Sequence, residues 1–143
     1  MKQRKPRTKS QISSTSPPSV RPRDPRVSRG RAAEDAAAHW LAERGYRLLE
    51  RNVRLAGAEI DLIAVHDECF VFIEVRSRSN TRFGNPVDSV NWRKQARIAR
   101  VADAWLQVGR RRLSRSRFDV VGVLWERGRP VFSLVVNAFR SSR

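Results

Sequence analysis

The chain has 143 residues, with 30 Lys and Arg against 14 Asp and Glu, giving a formal net charge of +16 and a pI near 11.7. The length suits one domain, and 40% hydrophobic residues at a mean hydropathy of -0.57 are enough for one core. No run approaches the roughly 18 apolar residues of a membrane helix, the single Cys69 excludes an intrachain disulfide, and no apolar stretch after the basic start makes a secretory signal.

Residues 1–29 hold five of the seven prolines, many serines, and nine basic residues against Asp24. Such a segment cannot bury enough apolar surface to offset its ordering entropy, so a disordered basic tail is expected. An organelle transit peptide would also be Arg- and Ser-rich, but the prolines oppose its amphipathic helix. The tail carries net +8 and residues 30–143 another +8, so the single domain expected over 30–143 is basic in its own right. Acidic partners, nucleic acid above all, are the first to consider.

The alanine-rich stretch Gly30–Arg44 reads as a first helix, with Ala33, Ala37, Trp40 and Leu41 on one face and Gly45 as its stop. Three strand-like stretches follow at 46–55, 58–66 and 69–77, separated by Ala56-Gly57 and Asp67-Glu68, and read as an antiparallel meander. After a polar loop with Asn85-Pro86, residues 89–108 repeat Ile98, Ala102, Trp105 and Leu106 at helical spacing up to Gly109. Strands at 117–125 and 131–139, joined by a turn at 126–130, complete the order α-β-β-β-α-β-β. The fold class expected is α/β, a central mixed sheet flanked by helices.

Asp61 and Glu74 interrupt two otherwise apolar strands. If Asp67-Glu68 is the hairpin turn, Asp61 falls opposite Glu74 and Glu59 opposite Arg76, so four charged groups share one face. Two carboxylates with Cβ atoms about 5 Å apart destabilise a sheet unless a positive charge lies between them. A divalent ion is the economical answer, and hard oxygen ligands suit Mg²⁺ or Mn²⁺. Such an ion activates water and neutralises charge on a phosphodiester, while Arg76, always protonated, can stabilise a phosphate but not act as a base. The competing structural reading has a solvent-wetted face with cross-strand ion pairs, Glu59 to Arg76 and Asp61 to Arg78 or Arg76. Apolar neighbours on both parities, from Ile60 to Val75, favour strands covered on both faces, where carboxylates need partners. Glu34 on the first helix is a candidate further acid, although an acid in a first helical turn also interacts favourably with the helix dipole.

Several motifs together resemble the YraN family of small bacterial proteins, which is similar to Holliday-junction resolvases. They are Gly30 to Glu34, Gly57-Ala-Glu-Ile-Asp-Leu-Ile63, Phe72-Ile-Glu-Val-Arg76, Phe83-Gly84, Lys94 and its helix, and Arg117-Phe-Asp-Val-Val121. The resemblance implies a restriction-endonuclease-like core with a PD-(D/E)xK nuclease signature, in a bacterial cytoplasm. Carried over, Asp61 and Glu74 would be metal ligands and catalytic, Glu34 a further acidic ligand, and Arg76 would stand at the signature's lysine. Ile60 replaces the signature's proline and Ala58 the family's usual second glycine. A resolvase-like role would favour a symmetric homodimer.

On the second helix Arg93, Arg97 and Arg100 follow one face, a stripe suited to phosphates or simply to solvent. Lys94, the domain's one lysine, would lie near the active site by the same resemblance. Arg110-Arg-Arg112, Arg115, Arg117 and the tail add sequence-independent phosphate affinity. The four tryptophans are expected in the core, and His39 and His66 lack metal-binding spacing. Two functions fit: a Mg-dependent endonuclease on branched or single-stranded DNA, and a non-catalytic module binding DNA, RNA or the ribosome.

Overall fold

In a computed structural model, residues 25–78, 84–111 and 114–141 are described. Of the expected tail, residues 1–24 lie outside this range, while Pro25 already opens the first helix, α1 (Pro25–Ala42). Proline is well suited to a helix's first position, since its missing N–H would lack a partner there in any case. The helix therefore starts five residues before the expected Gly30, and Glu34 sits in its third turn. The dipole explanation for Glu34 falls with that shift, because the effect fades beyond the first turn.

The strands β1 (Arg47–Leu55), β2 (Ala58–His66), β3 (Cys69–Arg78), β4 (Ser116–Glu126) and β5 (Arg129–Phe139) form one sheet in the order β1-β2-β3-β4-β5. All neighbours are antiparallel except β3 and β4, which run parallel and are joined through a short 3-10 turn, η1 (Pro86–Ser89), and α2 (Trp92–Val108). This is the α/β class with a mixed sheet and two helices. The three hairpins turn on Ala56-Gly57, Asp67-Glu68 and Arg127-Gly128, every one of these residues at positive φ. Two such residues match the right-handed twist of the strands they join. The last turn is thus tighter than expected, and Pro130 belongs to β5, where an edge strand tolerates its missing donor.

Two asparagines explain why the second helix is divided. Asn85 Oδ1 accepts from Val87 N at 3.2 Å and starts η1, and Asn91 Oδ1 accepts from Lys94 N at 3.0 Å and starts α2. Along α2, Ile98, Val101, Ala102, Trp105 and Leu106 are buried against Ile60, Ile63, Phe72, Phe118 and Val120 on one face of the sheet. Ala33, Ala37, Ala38 and Leu41 of α1 pack with Leu62, Ala64, Val71, Ile73, Val121 and Val123 on the other. Small residues let α1 lie close to the strands, and β2 and β3 are covered on both sides, as their continuous apolar character implies. Gly122 of β4 permits a further close approach: an added Cβ would overlap Pro86 and Ser133. Among the described residues no helix is long and apolar enough to cross a membrane.

Candidate functional site

The β2–β3 ladder follows the expected register from His66–Cys69 to Leu62–Ile73 and then stops. At the next position the Asp61 carboxylate enters the gap, and its Oδ2 accepts from Val75 N at 2.8 Å. The usual alternation also slips here: Ile60 packs with the α2 cluster and Leu62, two residues on, with the α1 cluster. Across the gap on β1, Asn52 adopts a left-handed φ of 50°, which asparagine tolerates better than most residues. The strands part because a charged side chain takes a backbone donor that would otherwise complete the ladder.

Glu74 is 4% exposed, on the sheet face covered by α2. The Lys94 ammonium contacts its Oε1, and Arg76 Nη1 lies 3.5 Å from the same oxygen. The Arg76 guanidinium is fixed from behind, its Nε donating to Ser89 Oγ at 2.8 Å and its Nη2 to Ser89 O at 2.9 Å. Ser89 Oγ in turn donates to Pro86 O at 2.6 Å, so η1 acts as a bracket for Arg76. Burial and the neighbouring Glu74 carboxylate push the Asp61 carboxyl up to about 7, against the pull of Val75 N and Lys94.

The structure therefore brings together Asp61, Glu74, Arg76 and Lys94. It does not bring Glu59 to Arg76. Glu59 Oε2 accepts from Arg54 Nε at 2.8 Å, because the ladder that would have set it opposite Arg76 ends at Leu62. With the Asn52 amide oriented to satisfy both its ends, Nδ2 donates to Glu34 Oε2 at 3.0 Å and Glu59 Oε1 at 3.1 Å. Burial first, and the Asp61 charge second, raise the pKa of Glu34. Among the described residues no group of three or more His, Cys, Asp or Glu is arranged to hold a metal ion.

On the outer side of α2, Arg93, Arg97 and Arg100 are exposed, as their spacing implies. The other arginine cluster divides. Arg111 lies over the rings of Trp105 (4.4 Å) and Phe70 (5.5 Å), and Arg112 lies outside the described residues. Arg117 is drawn into the fold, its guanidinium bonded to Asp119 (Nε to Oδ1, 3.0 Å), the Tyr46 hydroxyl (3.1 Å) and His66 Nδ1 (3.1 Å). Asp119 is fully buried and also accepts from Asn137 N at 2.9 Å and from Tyr46 Oη at 3.1 Å. Sequence reasoning missed this network and assigned Arg117 to phosphates. Its signal was an aspartate inside an apolar strand, Phe118-Asp-Val-Val121, the same anomaly that drew attention to Asp61. Trp92 is a second correction: at 72% exposed it is no core residue, since α2 starts there and its apolar face begins further along.

A family model described as "Uncharacterised protein family UPF0102" matches residues 33–123, which include both carboxylates, Arg76, Lys94 and the Arg117–Asp119 pair. The chain belongs to UPF0102. Among its UPF0102 relatives, a protein of Moorella thermoacetica is 51% identical over 104 residues, covering 71% of this chain and 85% of the relative. One of Nitrosococcus oceani is 43% identical over 113 residues, covering 78% and 91%. A third, of Syntrophomonas wolfei, is 38% identical over 106 residues, covering 74% and 92%. UPF0102 membership agrees with the YraN resemblance in the sequence.

Proposed function

We propose that the chain is a metal-dependent nuclease acting on DNA phosphodiesters, in branched or single-stranded DNA, on a restriction-endonuclease-like core. The observation that carries this reading is the Asp61–Glu74 pair. Two carboxylates are held against each other in the covered centre of a sheet, one with its pKa raised to about 7, beside two cations at one Glu74 oxygen. Like charges so placed are costly to a fold and are typical of sites that work on a substrate. The element order and the covered mixed sheet suit the nuclease core.

The donor set fits Mg²⁺ or Mn²⁺. Such ions often take only one or two protein carboxylates and complete their shell with water and substrate phosphate, so Asp61 and Glu74 are sufficient, with Glu34 as an acidic neighbour. When bound, the ion would supply Lewis-acid polarisation of the phosphate and a more acidic water. Arg76, braced by Ser89, presents a pre-oriented guanidinium to charge developing on phosphorus. Lys94, on a flexible stem, can move its charge from Glu74 to a phosphate oxygen, a freedom the fixed Arg76 lacks. Arg93, Arg97 and Arg100, exposed on the outer side of α2, add positive charge for phosphates. A four-way junction substrate would call for two copies of the chain about a two-fold axis.

One observation favours the second reading, a non-catalytic nucleic-acid-binding module: Lys94 and Arg76 already satisfy Glu74 without an ion. A cleavage panel separates the two. Single-stranded, duplex, flap and four-way junction DNA, with RNA, are incubated with Mg²⁺, Mn²⁺ or EDTA and either wild type or the Asp61→Asn/Glu74→Gln double variant. Metal-dependent cutting that disappears in the double variant supports the nuclease. Binding without cutting in either metal sinks it and leaves the binding module.

A further inference from the structure

Trp92 is the largest side chain that the described fold leaves in water, at 72% exposed. The other three tryptophans have partners: Trp40 stacks on Phe132, Trp105 meets Phe70 and Phe72 edge-on, and Trp125 Nε1 donates to Ser77 Oγ at 2.9 Å. Trp92 opens α2 and stands two residues before Lys94, whose ammonium contacts Glu74. No acid lies in the first turn of α2, the Arg93 guanidinium sits 5.3 Å from the Trp92 ring centroid, and Arg97 and Arg100 continue the positive face.

We propose that Trp92 is a stacking platform for an unpaired nucleobase, at the N-terminal end of the helix whose Lys94 reaches Glu74. A flat aromatic face accepts any base, and it needs a base free of its duplex partner. The guanidinium beside the ring and the arginines behind it suit the phosphates flanking that base. A protein partner is the less suited occupant, because one isolated ring among arginines lacks the apolar surround of a protein hot spot. The inference rests on the nucleic-acid reading above and deepens it: the substrate is single-stranded, or carries an unpaired base at a flap or junction. It assigns Trp92 a base-holding role, not contact with the reacting phosphate.

The test uses the full chain, metal-free, with a 20-nucleotide DNA single strand, an RNA strand of the same sequence, a single strand carrying one abasic position, and a blunt duplex. Affinity and tryptophan fluorescence are followed over a salt series for wild type, Trp92→Ala and Trp92→Phe. We expect Trp92→Ala to bind either single strand about tenfold more weakly, with its salt slope and its duplex affinity unchanged, because no phosphate contact is lost. Trp92→Phe should keep most of the affinity and lose the fluorescence quench. Unchanged single-strand affinity in Trp92→Ala overturns the platform, as does an equal loss on duplex. Wild type that binds duplex but not single strands overturns it while sparing the nuclease reading. Binding to no nucleic acid at all overturns both.

Discussion

Asp61 Oδ2 accepts the backbone N–H of Val75 at 2.8 Å, at the point where the β2–β3 ladder stops. A single carboxylate thus forks two central strands and holds the gap next to Glu74. In β4 and β5 the same device recurs: Asp119 accepts from Asn137 N, Asn137 has a left-handed φ of 54°, and the register shifts between Phe118 and Val120. The two aspartates differ in company. Asp119 is paired with the Arg117 guanidinium, whereas Asp61 shares its surroundings with another acid.

That difference makes the stability pH-dependent. The folded pKa of Asp61, near 7, is above its ordinary value of 3.8, so the native state holds this proton more tightly than the unfolded chain. Its stabilising effect is complete below about pH 4 and is lost as pH rises to about 7. Asp61→Asn keeps an acceptor for Val75 N and removes the charge. In urea titrations with EDTA, the variant should gain on wild type from pH 4.5 to 8, by on the order of 2–4 kcal/mol. A difference independent of pH would refute the raised pKa.

Lys94 is expected to stabilise the fold and not only to bind ligands. Lys94→Met leaves the buried Glu74 with Arg76 at 3.5 Å as its remaining cation, and unfolding free energy should fall by roughly 1–3 kcal/mol. Glu74→Gln in the same chain should recover most of that loss, a coupling read from a double-mutant cycle. Additive losses would show that the two side chains do not depend on each other.

Gly122→Ala tests the bracket around Arg76. The new methyl group meets Pro86 of η1 and Ser133 of β5, so one or both must shift. A loss of about 1–3 kcal/mol is expected from such overpacking, read as a lower Tm. An unchanged Tm would mean that the shift is without cost.

Arg117 and the α2 arginines should behave in opposite ways. Arg117→Gln breaks the pair with fully buried Asp119 and should cost about 3–5 kcal/mol, while the salt slope of nucleic-acid binding stays as in wild type. Arg97→Gln with Arg100→Gln should leave unfolding nearly unchanged and lower that slope by roughly one to two units. Tyr46→Phe, which removes the hydroxyl joining Asp119 to Arg117, should cost about 1 kcal/mol.

Much of this was legible in the order of residues, and the reason is local. Alternation, helical spacing and two-residue turns act over a few residues, so the five strands and α2 fall close to their expected bounds, and the Asp67-Glu68 turn alone dictates the pairing down to Leu62–Ile73. Asp61 and Glu74 could be singled out because acids in apolar strands stand out before any fold is known. What required the tertiary structure involves partners far apart in the chain. Tyr46 meets Asp119 across 73 residues, Lys94 reaches Glu74 on another element, Ser89 grips Arg76, and β3 finds β4 in parallel. Packing decides which side of a helix is covered and which cation reaches a buried acid. A charge pattern read along the chain holds the inventory of such pairs but not their matching, so Arg117 and Trp92, each plausible in another role from spacing alone, exchanged places between interior and surface.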